Sequence, residues 1–396
     1  MTASSIDLRP LIRQEAADAP PSGIVEVSNY GRGRPGLIPL WVGEGDMPTP
    51  AFITDAATRS LAAGETFYTW QKGIPELREA ISRYMSRIYG QNLSTDRFHV
   101  TIGGMQALQI ATRLAAGEGD EVLVPSPAWP NFTGAIMVAG GTPVDVPMTL
   151  AGNGSDEQWL LDIERLEKAV TARTKAIVIN SPSNPTGWTA SRAELEGVLA
   201  LSRRHGLWII ADEIYGRFML DGTERAPSFH DIMADDDKIL FVQTFSKNWA
   251  MTGWRLGWIE CHPSLGDTIE NLIQYSSSGV ATFVQRAGIA ALDHGESFVQ
   301  HQIARARAGR DIVCNGLAAT GRVLFARPTG AFYLYFGVEG ETDSTALAKR
   351  LVDEANVGLA PGRAFGPHGE GYLRLCFARK AEDLEEATAR LARAIA

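Results

Sequence analysis

From Phe98 to Ile259 the chain alternates short apolar runs with segments of helical periodicity, and this alternation limits the fold more than any other feature. Phe98–Ile102, Val122–Pro125, Pro143–Val146, Ala176–Asn180, Trp208–Ala211 and Ile239–Val242 read as strands. They are apolar along their length, as expected when both faces of a sheet are covered. Between them Met105–Leu114, Phe132–Ala139, Asp162–Val170 and Ala193–His205 read as helices. The pattern predicts an α/β fold with a largely parallel sheet wrapped by helices. Such sheets bind ligands at the carboxyl ends of their strands.

Several of these strand ends bear chemistry. The Ile239 run leads into Thr244-Phe-Ser246-Lys247, two hydroxyls and an amine in a Trp- and Met-rich setting; Arg255 follows within the glycine-punctuated stretch Gly253–Ile259. An amine held among apolar groups loses hydration of its charged form, so its pKa falls and it can attack a carbonyl. Hydroxyls beside an arginine suit a phosphate, which takes charge-assisted hydrogen bonds. A phosphate-bearing aldehyde meets both demands, and pyridoxal 5′-phosphate is the common biological one. A surface lysine beside a tryptophan is the plain alternative.

The Trp208 run ends in Asp212-Glu-Ile-Tyr215. Asp212 closes an apolar run, where a carboxylate needs a cationic partner such as a protonated pyridine nitrogen, unless it is the N-cap of a following helix. The Ala176 run leads to Ser181-Pro-Ser-Asn184-Pro-Thr-Gly187, in which the flanking prolines stiffen the loop and fix the amide of Asn184. Gly103-Gly104, between a strand and the Met105 helix, either aims free backbone N–H groups at an anion or simply makes a turn. Gly43, where the short strand from Pro39 runs into a glycine turn, either brings the backbone close to a ligand or makes a plain turn. Arg374 lies mid-strand between apolar neighbours and must pair with an anion, either a structural carboxylate or a ligand.

The flanks complete the organisation. Up to about Pro39 the chain reads as an extended arm with a short helix, followed by helices at Ala51–Ala63 and Pro75–Ile88 with a turn at Tyr68–Gly73 between them. Residues 151–160 read as a polar loop, Pro263–Ser276 as a helix, and Phe283–Leu317 as one or two helices. A smaller α+β unit closes the chain, with strands at Val323–Ala326, Ala331–Phe336 and Tyr372–Phe377 and helices at Ser344–Ala355 and Ala381–Ile395. We therefore expect an arm that joins the small domain (1–40), a large domain (41–285) and a C-terminal small domain (286–396). No apolar run approaches the roughly 18 residues of a membrane helix, and the N-terminus lacks the apolar core of a secretory signal. Cys261, Cys314 and Cys376 are odd in number and widely spaced, which argues against a disulfide framework or a zinc site and fits a reducing cytoplasm. A net charge of -9 without a basic cluster disfavours nucleic acid as a partner.

The segments SPSNPTG, ADEIY, TFSKNWAMTGWRLGW, RPTGAFYLYF and PGRAFGPHGEGYLRLCFA stand in the order, and at about the spacings, of the class I aminotransferases. From Trp41 onward the chain resembles that family, which lies within the fold-type I pyridoxal-phosphate enzymes. The resemblance implies that Lys247 is the Schiff-base lysine and later the proton shuttle, and that Asp212 pairs with the pyridine N–H. It makes Tyr215 and Asn184 partners of the ring's phenolic oxygen. Trp129 matches the aromatic residue stacked on the ring, with packing in a Pro-rich loop as its other reading. Thr244, Ser246, Arg255 and the backbone N–H groups of Gly104 and Met105 would hold the phosphate; many relatives have a hydroxyl where Met105 stands. Tyr68 matches the tyrosine that reaches the phosphate of the neighbouring subunit, which implies a homodimer with shared active sites. Arg374 matches the arginine that binds the substrate α-carboxylate, with Asn184 and the Gly43 backbone assisting and Trp129 alongside.

The implied activity is ping-pong transfer of an amino group from an L-amino acid to a 2-oxo acid in amino acid metabolism. A C–S β-lyase uses the same lysine, aspartate and arginine and remains the alternative. A non-catalytic amino-acid sensor is disfavoured because Lys247, Asp212 and Arg374 are all present. Arg32, Arg34 and Arg363 are candidates for a distal carboxylate, or ordinary surface arginines. Trp41, Trp70 and Trp188 are candidates for an aromatic pocket.

Overall fold

In the computed structural model, which describes residues 7–152 and 157–396, the alternation resolves into a seven-stranded sheet. Its order is Phe98–Thr101, Gly257–Glu260, Ile239–Thr244, Trp208–Asp212, Thr174–Asn180, Glu121–Ser126 and Thr142–Pro147. The strands run parallel except Gly257–Glu260, which is antiparallel to both neighbours. The cause is the connection before it. Phe245 to Leu256 holds only a 3₁₀ turn at Thr252–Trp254, not the covering helix of a parallel crossover.

Both faces of the sheet are dry. Val122, Val124, Val178, Ile210, Leu240 and Val242 pack on one side with Ala107, Leu108 and Ala111 of the helix Gly103–Ala115. Leu123, Ile177, Ile209 and Phe241 face the other way, with Leu195, Val198 and Leu199 of the helix Arg192–His205. Successive residues thus reach different apolar layers, which is why the strands show no polar alternation. The helix Arg192–His205 is delimited by its sequence: Ser191 and Glu194 form a capping box, and Gly206 ends it at φ +68.

The smaller unit holds a four-stranded antiparallel sheet in the order Val323–Leu324, Tyr333–Val338, Tyr372–Cys376, Ala360–Pro361. The helices Glu296–Ala318 and Ala381–Ile395 pack together beside it. The segment expected as one or two helices is two, Thr282–His294 and Glu296–Ala318.

Three local expectations need correction. The strand expected from Pro39 is only Ile38–Pro39, paired in parallel with Val357–Gly358. Trp41 leaves the pairing and packs its ring where a Cβ on Gly358 would sit at 2.0 Å, so that position needs glycine. The polar stretch 151–160 is not all loop: Thr149–Ala151 and Gln158–Leu160 form a hairpin anchored by buried Trp159, and residues 153–156 lie outside the described residues. The segment Pro263–Ser276 begins as a 3₁₀ turn, Pro263–Leu265, and becomes helical over Gly266–Gln274.

Candidate active site

Strand register brings the predicted residues to one edge of the sheet. Asn180 pairs with Asp212, Asp212 with Val242, and Thr244 with Gly257, so the carboxyl ends of the Thr174, Trp208 and Ile239 strands lie side by side. Asp212 is the last residue of its strand and 1% exposed. No helix follows it, which removes the N-cap reading; its Oδ1 accepts a local bond from the Ile214 N–H at 3.3 Å, and the Asn180 side chain also bonds the carboxyl. Burial pushes the Asp212 carboxyl up to about 7, Glu213 adds to the rise, and the Ile214 N–H and the Lys247 amine oppose it. Among the described residues it makes no ion pair.

Glu213 points elsewhere. It accepts from Ser228 Oγ at 2.7 Å and from the Tyr89 hydroxyl at 3.2 Å. Behind it a buried chain runs from Ser228 to His230 (2.9 Å), Glu260 (3.0 Å) and Arg97 (2.9 Å). Burial raises the Glu213 pKa despite these partners.

Lys247 follows the Ile239–Thr244 strand, and its Nζ donates to the Gly43 carbonyl at 2.6 Å. Burial lowers the Lys247 pKa to about 8, and the nearby Arg374 and Arg255 push in the same direction. Its backbone is fixed from the smaller unit: Gln302 Nε2 donates to the carbonyls of Lys247 at 3.1 Å and Asn248 at 2.7 Å. Nothing in the sequence singled out Gln302, which sits in an ordinary amphipathic helix.

The anion-binding candidates converge nearby. Thr244 Oγ1 donates to Ser246 Oγ at 2.9 Å. Arg255 adopts φ 53, ψ 55, and its Nη1 donates to the Thr252 carbonyl at 2.7 Å. Its guanidinium lies over Gly103, where a Cβ would come within 2.7 Å of Nη2; a Cβ on Gly104 would meet Thr244 at 3.6 Å. The helix Gly103–Ala115 has no side-chain cap, so the N–H groups of its first turn, including those of Gly104 and Met105, remain without helical partners. The thioether of Met105 is turned to Asn131, whose Nδ2 lies 3.1 Å from Sδ.

Arg374 is 2% exposed in the strand Tyr372–Cys376. Its Nη1 donates to Asn184 Oδ1 at 2.9 Å, and its Nη2 donates to the Trp41 carbonyl. The guanidinium stands 4.7 Å from the centroid of the Tyr333 ring and 4.9 Å from that of Phe365. Among the described residues it has no carboxylate partner, and its Nε has no hydrogen-bond partner. Asn184 is steadied from below, its N–H donating to Asn180 Oδ1 at 2.8 Å. Tyr215 is fully buried, and its hydroxyl lies 2.6 Å from that of Tyr333. Burial raises the Tyr215 pKa, and Tyr333 raises it further.

Trp129 precedes the helix Pro130–Val138 and packs edge-on against Phe132, with ring centroids 5.5 Å apart. Tyr68 is 97% exposed, beside the exposed Phe67 and Trp70. Arg34 is engaged with Asp353 and Tyr30, whereas Arg32 and Arg363 are exposed. Arg363 lines a groove of about 1110 Å³ between the N-terminal arm and the helix Pro130–Val138. Trp41 and Trp188 are core residues and Trp70 faces outward, so the three form no common pocket. The sequence reading missed Tyr333, Gln302, Asn180 and the Trp41 carbonyl.

A half-buried lysine and a buried carboxylate at the edge of this sheet, beside an arginine with no carboxylate partner among the described residues, fit the comparisons with known proteins. The profile of the family described as aminotransferase class I and II matches residues 36–391, and the chain belongs to that family. It is an aminotransferase, with the fold-type I architecture. A probable aspartate aminotransferase of Methanocaldococcus jannaschii is 34% identical over 383 residues, covering 95% of this chain and 98% of that protein. The solved aspartate aminotransferase of Thermotoga maritima has a TM-score of 0.88 at 33% identity, covering 96% of this chain and 99% of that one. The aromatic aminotransferase of Pyrococcus horikoshii has a TM-score of 0.84 at 33% identity, covering 93% and 98%.

Proposed function

We propose that the protein is a pyridoxal 5′-phosphate-dependent aminotransferase working by a ping-pong cycle on L-amino acids and 2-oxo acids, and that Lys247, Asp212 and Tyr215 do its chemistry. The observation that carries this reading is Asp212, a buried carboxylate pushed up to about 7 with no ion-pair partner among the described residues. A pyridinium N–H is the partner such a group lacks.

The rest of the site fits the same cofactor. Thr244, Ser246, Arg255 and the free N–H groups of Gly104 and Met105 would hold its phosphate. Trp129 would lie against the ring, and Tyr215 and Asn184 would face its phenolic oxygen. When bound, pyridoxal phosphate supplies an electron sink for the carbanion left at Cα after proton loss. The protein's part is binding and proton transfer. Arg374 takes the substrate α-carboxylate in its fork, with Asn184 and the Gly43 loop limiting how it can turn. That grip fixes the direction of the Cα–H bond. Lys247, kept partly neutral near pH 8 by burial, removes the Cα proton and delivers one back during the amino transfer. The first 2-oxo acid leaves before the second enters, so one carboxylate site serves both.

We place the enzyme in the cytoplasm as a homodimer. Cys261, Cys314 and Cys376 are buried free thiols, and no described helix is long and apolar enough to cross a membrane. Tyr68, almost wholly exposed, is suited to enter a neighbouring subunit's site. The division into 1–40, 41–285 and 286–396 accords with pairing of the arm strand Ile38–Pro39 to Val357–Gly358.

The test is a half-reaction. Cofactor-loaded protein is mixed with single amino acids, aspartate and the aromatic ones included, without any 2-oxo acid. Transamination yields one equivalent of the matching 2-oxo acid per site and no free ammonia. Pyruvate and ammonia accumulating over many turnovers would instead establish a β-lyase.

A further inference from the structure

We propose that Tyr333 is a positioning residue that couples the two halves of the site: its hydroxyl holds the Tyr215 phenol and its ring holds the Arg374 guanidinium. The inference rests on the reading above, which puts Tyr215 at the cofactor's phenolic oxygen and Arg374 at the substrate carboxylate. Tyr333 is fully buried in the strand Tyr333–Val338, with its hydroxyl 2.6 Å from that of Tyr215 and its ring centroid 4.7 Å from the Arg374 guanidinium. A third contact fixes it. A Cβ on Gly43 would lie 2.4 Å from the Tyr333 hydroxyl, and the Gly43 carbonyl is the acceptor of Lys247. One side chain therefore touches the lysine's loop, the phenol and the carboxylate-binding arginine.

The next tyrosine on the same buried face of the strand shows the contrast. Tyr335 donates to the carbonyls of Gly362 and Gly369, both at 3.3 Å, and so ties down a loop. Among the described residues Tyr333 has no backbone carbonyl partner; its hydroxyl is committed to Tyr215. Proton counting then sets the direction of that bond. Each phenol has one hydrogen. If Tyr215 gives its hydrogen to the cofactor oxygen, the 2.6 Å contact must be closed by the hydrogen of Tyr333. A donor behind Tyr215 polarises it and makes it the stronger donor. The other titratable or charged groups around the pair are Arg374 and Cys376 from the Tyr372–Cys376 strand, Glu44 from the Gly43 loop, and Asp212. Arg374 lies over the same ring, so a carboxylate that shifts the guanidinium also bears on the phenol pair.

The experiment compares Tyr333→Phe, which keeps the ring, with Tyr333→Leu, which removes it, in the pyridoxal-phosphate-loaded protein. Two quantities are read: the pH midpoint of the bound cofactor's absorbance change, and KM and kcat for the best amino donor. Losing the Tyr333 hydrogen weakens donation by Tyr215 to the phenolic oxygen. Tyr333→Phe should therefore raise the midpoint by about 0.5 to 1 pH unit, in the same direction as Tyr215→Phe but by less, the scale of one neutral hydrogen bond. Its donor KM should stay within about twofold, whereas Tyr333→Leu should raise KM about tenfold through loss of the cation–π face. An unchanged midpoint in Tyr333→Phe, or an unchanged KM in Tyr333→Leu, overturns the coupling while leaving the aminotransferase reading intact. If the wild type takes up pyridoxal phosphate without any Lys247-dependent absorbance change, both readings fall together.

Discussion

Replacing Asp212 with Asn should stabilise the cofactor-free protein, although on the function proposed above it removes a residue the reaction needs. Burial raises the Asp212 pKa from 3.8 to about 7. Between those values the folded chain binds a proton that the unfolded chain has released, so stability falls as pH rises, and the full cost is present above pH 7. A shift of about three units at about 1.4 kcal/mol each gives a cost of about 4 kcal/mol. Asn has the same shape, keeps an acceptor for the Ile214 N–H, and has no charge to desolvate. For 396 residues the unfolding entropy is about 0.8 kcal/mol per kelvin, so the midpoint should rise by about 5 °C at pH 8. At pH 5 the gap should shrink to about 2 °C, because most of the buried carboxyl is then protonated. Scanning calorimetry of the cofactor-free wild type and Asp212→Asn at both pH values measures this. Loading with pyridoxal phosphate should reverse the ranking, since a pyridinium partners only the charged carboxylate. Equal midpoints at pH 8, or a gap that does not change with pH, would refute the claim that Asp212 is a buried group lacking its partner.

Lys247→Met should abolish turnover and stabilise the cofactor-free protein at pH 7 by about 3 kcal/mol, because folding lowers the lysine pKa from 10.5 to about 8. That gain should fade as pH rises from 8 to 10.5, which denaturant titrations across the range would follow. Gly103→Ala should weaken pyridoxal-phosphate binding tenfold or more by equilibrium dialysis: the new Cβ meets the Arg255 guanidinium at 2.7 Å, and φ +70 is strained for any residue with a side chain. Arg374→Lys keeps the charge but loses the planar fork. It should raise donor KM by about 10- to 100-fold while leaving the bound cofactor's absorbance unchanged.

The sheet was legible because its strands are apolar on both faces, and the polar residues that end them stand out sharply. Asp212 ends such a strand and Asn184 and Lys247 follow two others, while Arg374 stood out as a cation inside an apolar strand of the smaller sheet. What could not be read was pairing direction and backbone chemistry. Gly257–Glu260 has the composition of its parallel neighbours, and only the lack of a covering helix before it turns it antiparallel. The hairpin Thr149–Ala151 with Gln158–Leu160 lies in a stretch whose polar content masks the anchoring Trp159. Tyr333 sits in the aromatic-rich apolar run Phe332–Phe336, where no local signal separates it from the loop-tying Tyr335. The carbonyls of Trp41 and Gly43, acceptors of Arg374 and Lys247, leave no mark in side-chain chemistry at all.

The order of these groups along the chain has a consequence for biosynthesis and divergence. Gly103, Gly104, Asn184, Asp212, Tyr215, Thr244, Ser246, Lys247 and Arg255 all fall within the span that builds the large sheet, which ends with the strand Gly257–Glu260. On the function proposed above, the carboxylate site draws on both sides of that span, on Trp41 before it and on Tyr333 and Arg374 after it. During translation the residues of this span proposed for the cofactor can therefore emerge while the proposed carboxylate site still lacks its arginine. Over generations, substitutions in the flanking segments can alter the proposed acid site without disturbing the span proposed to hold the cofactor.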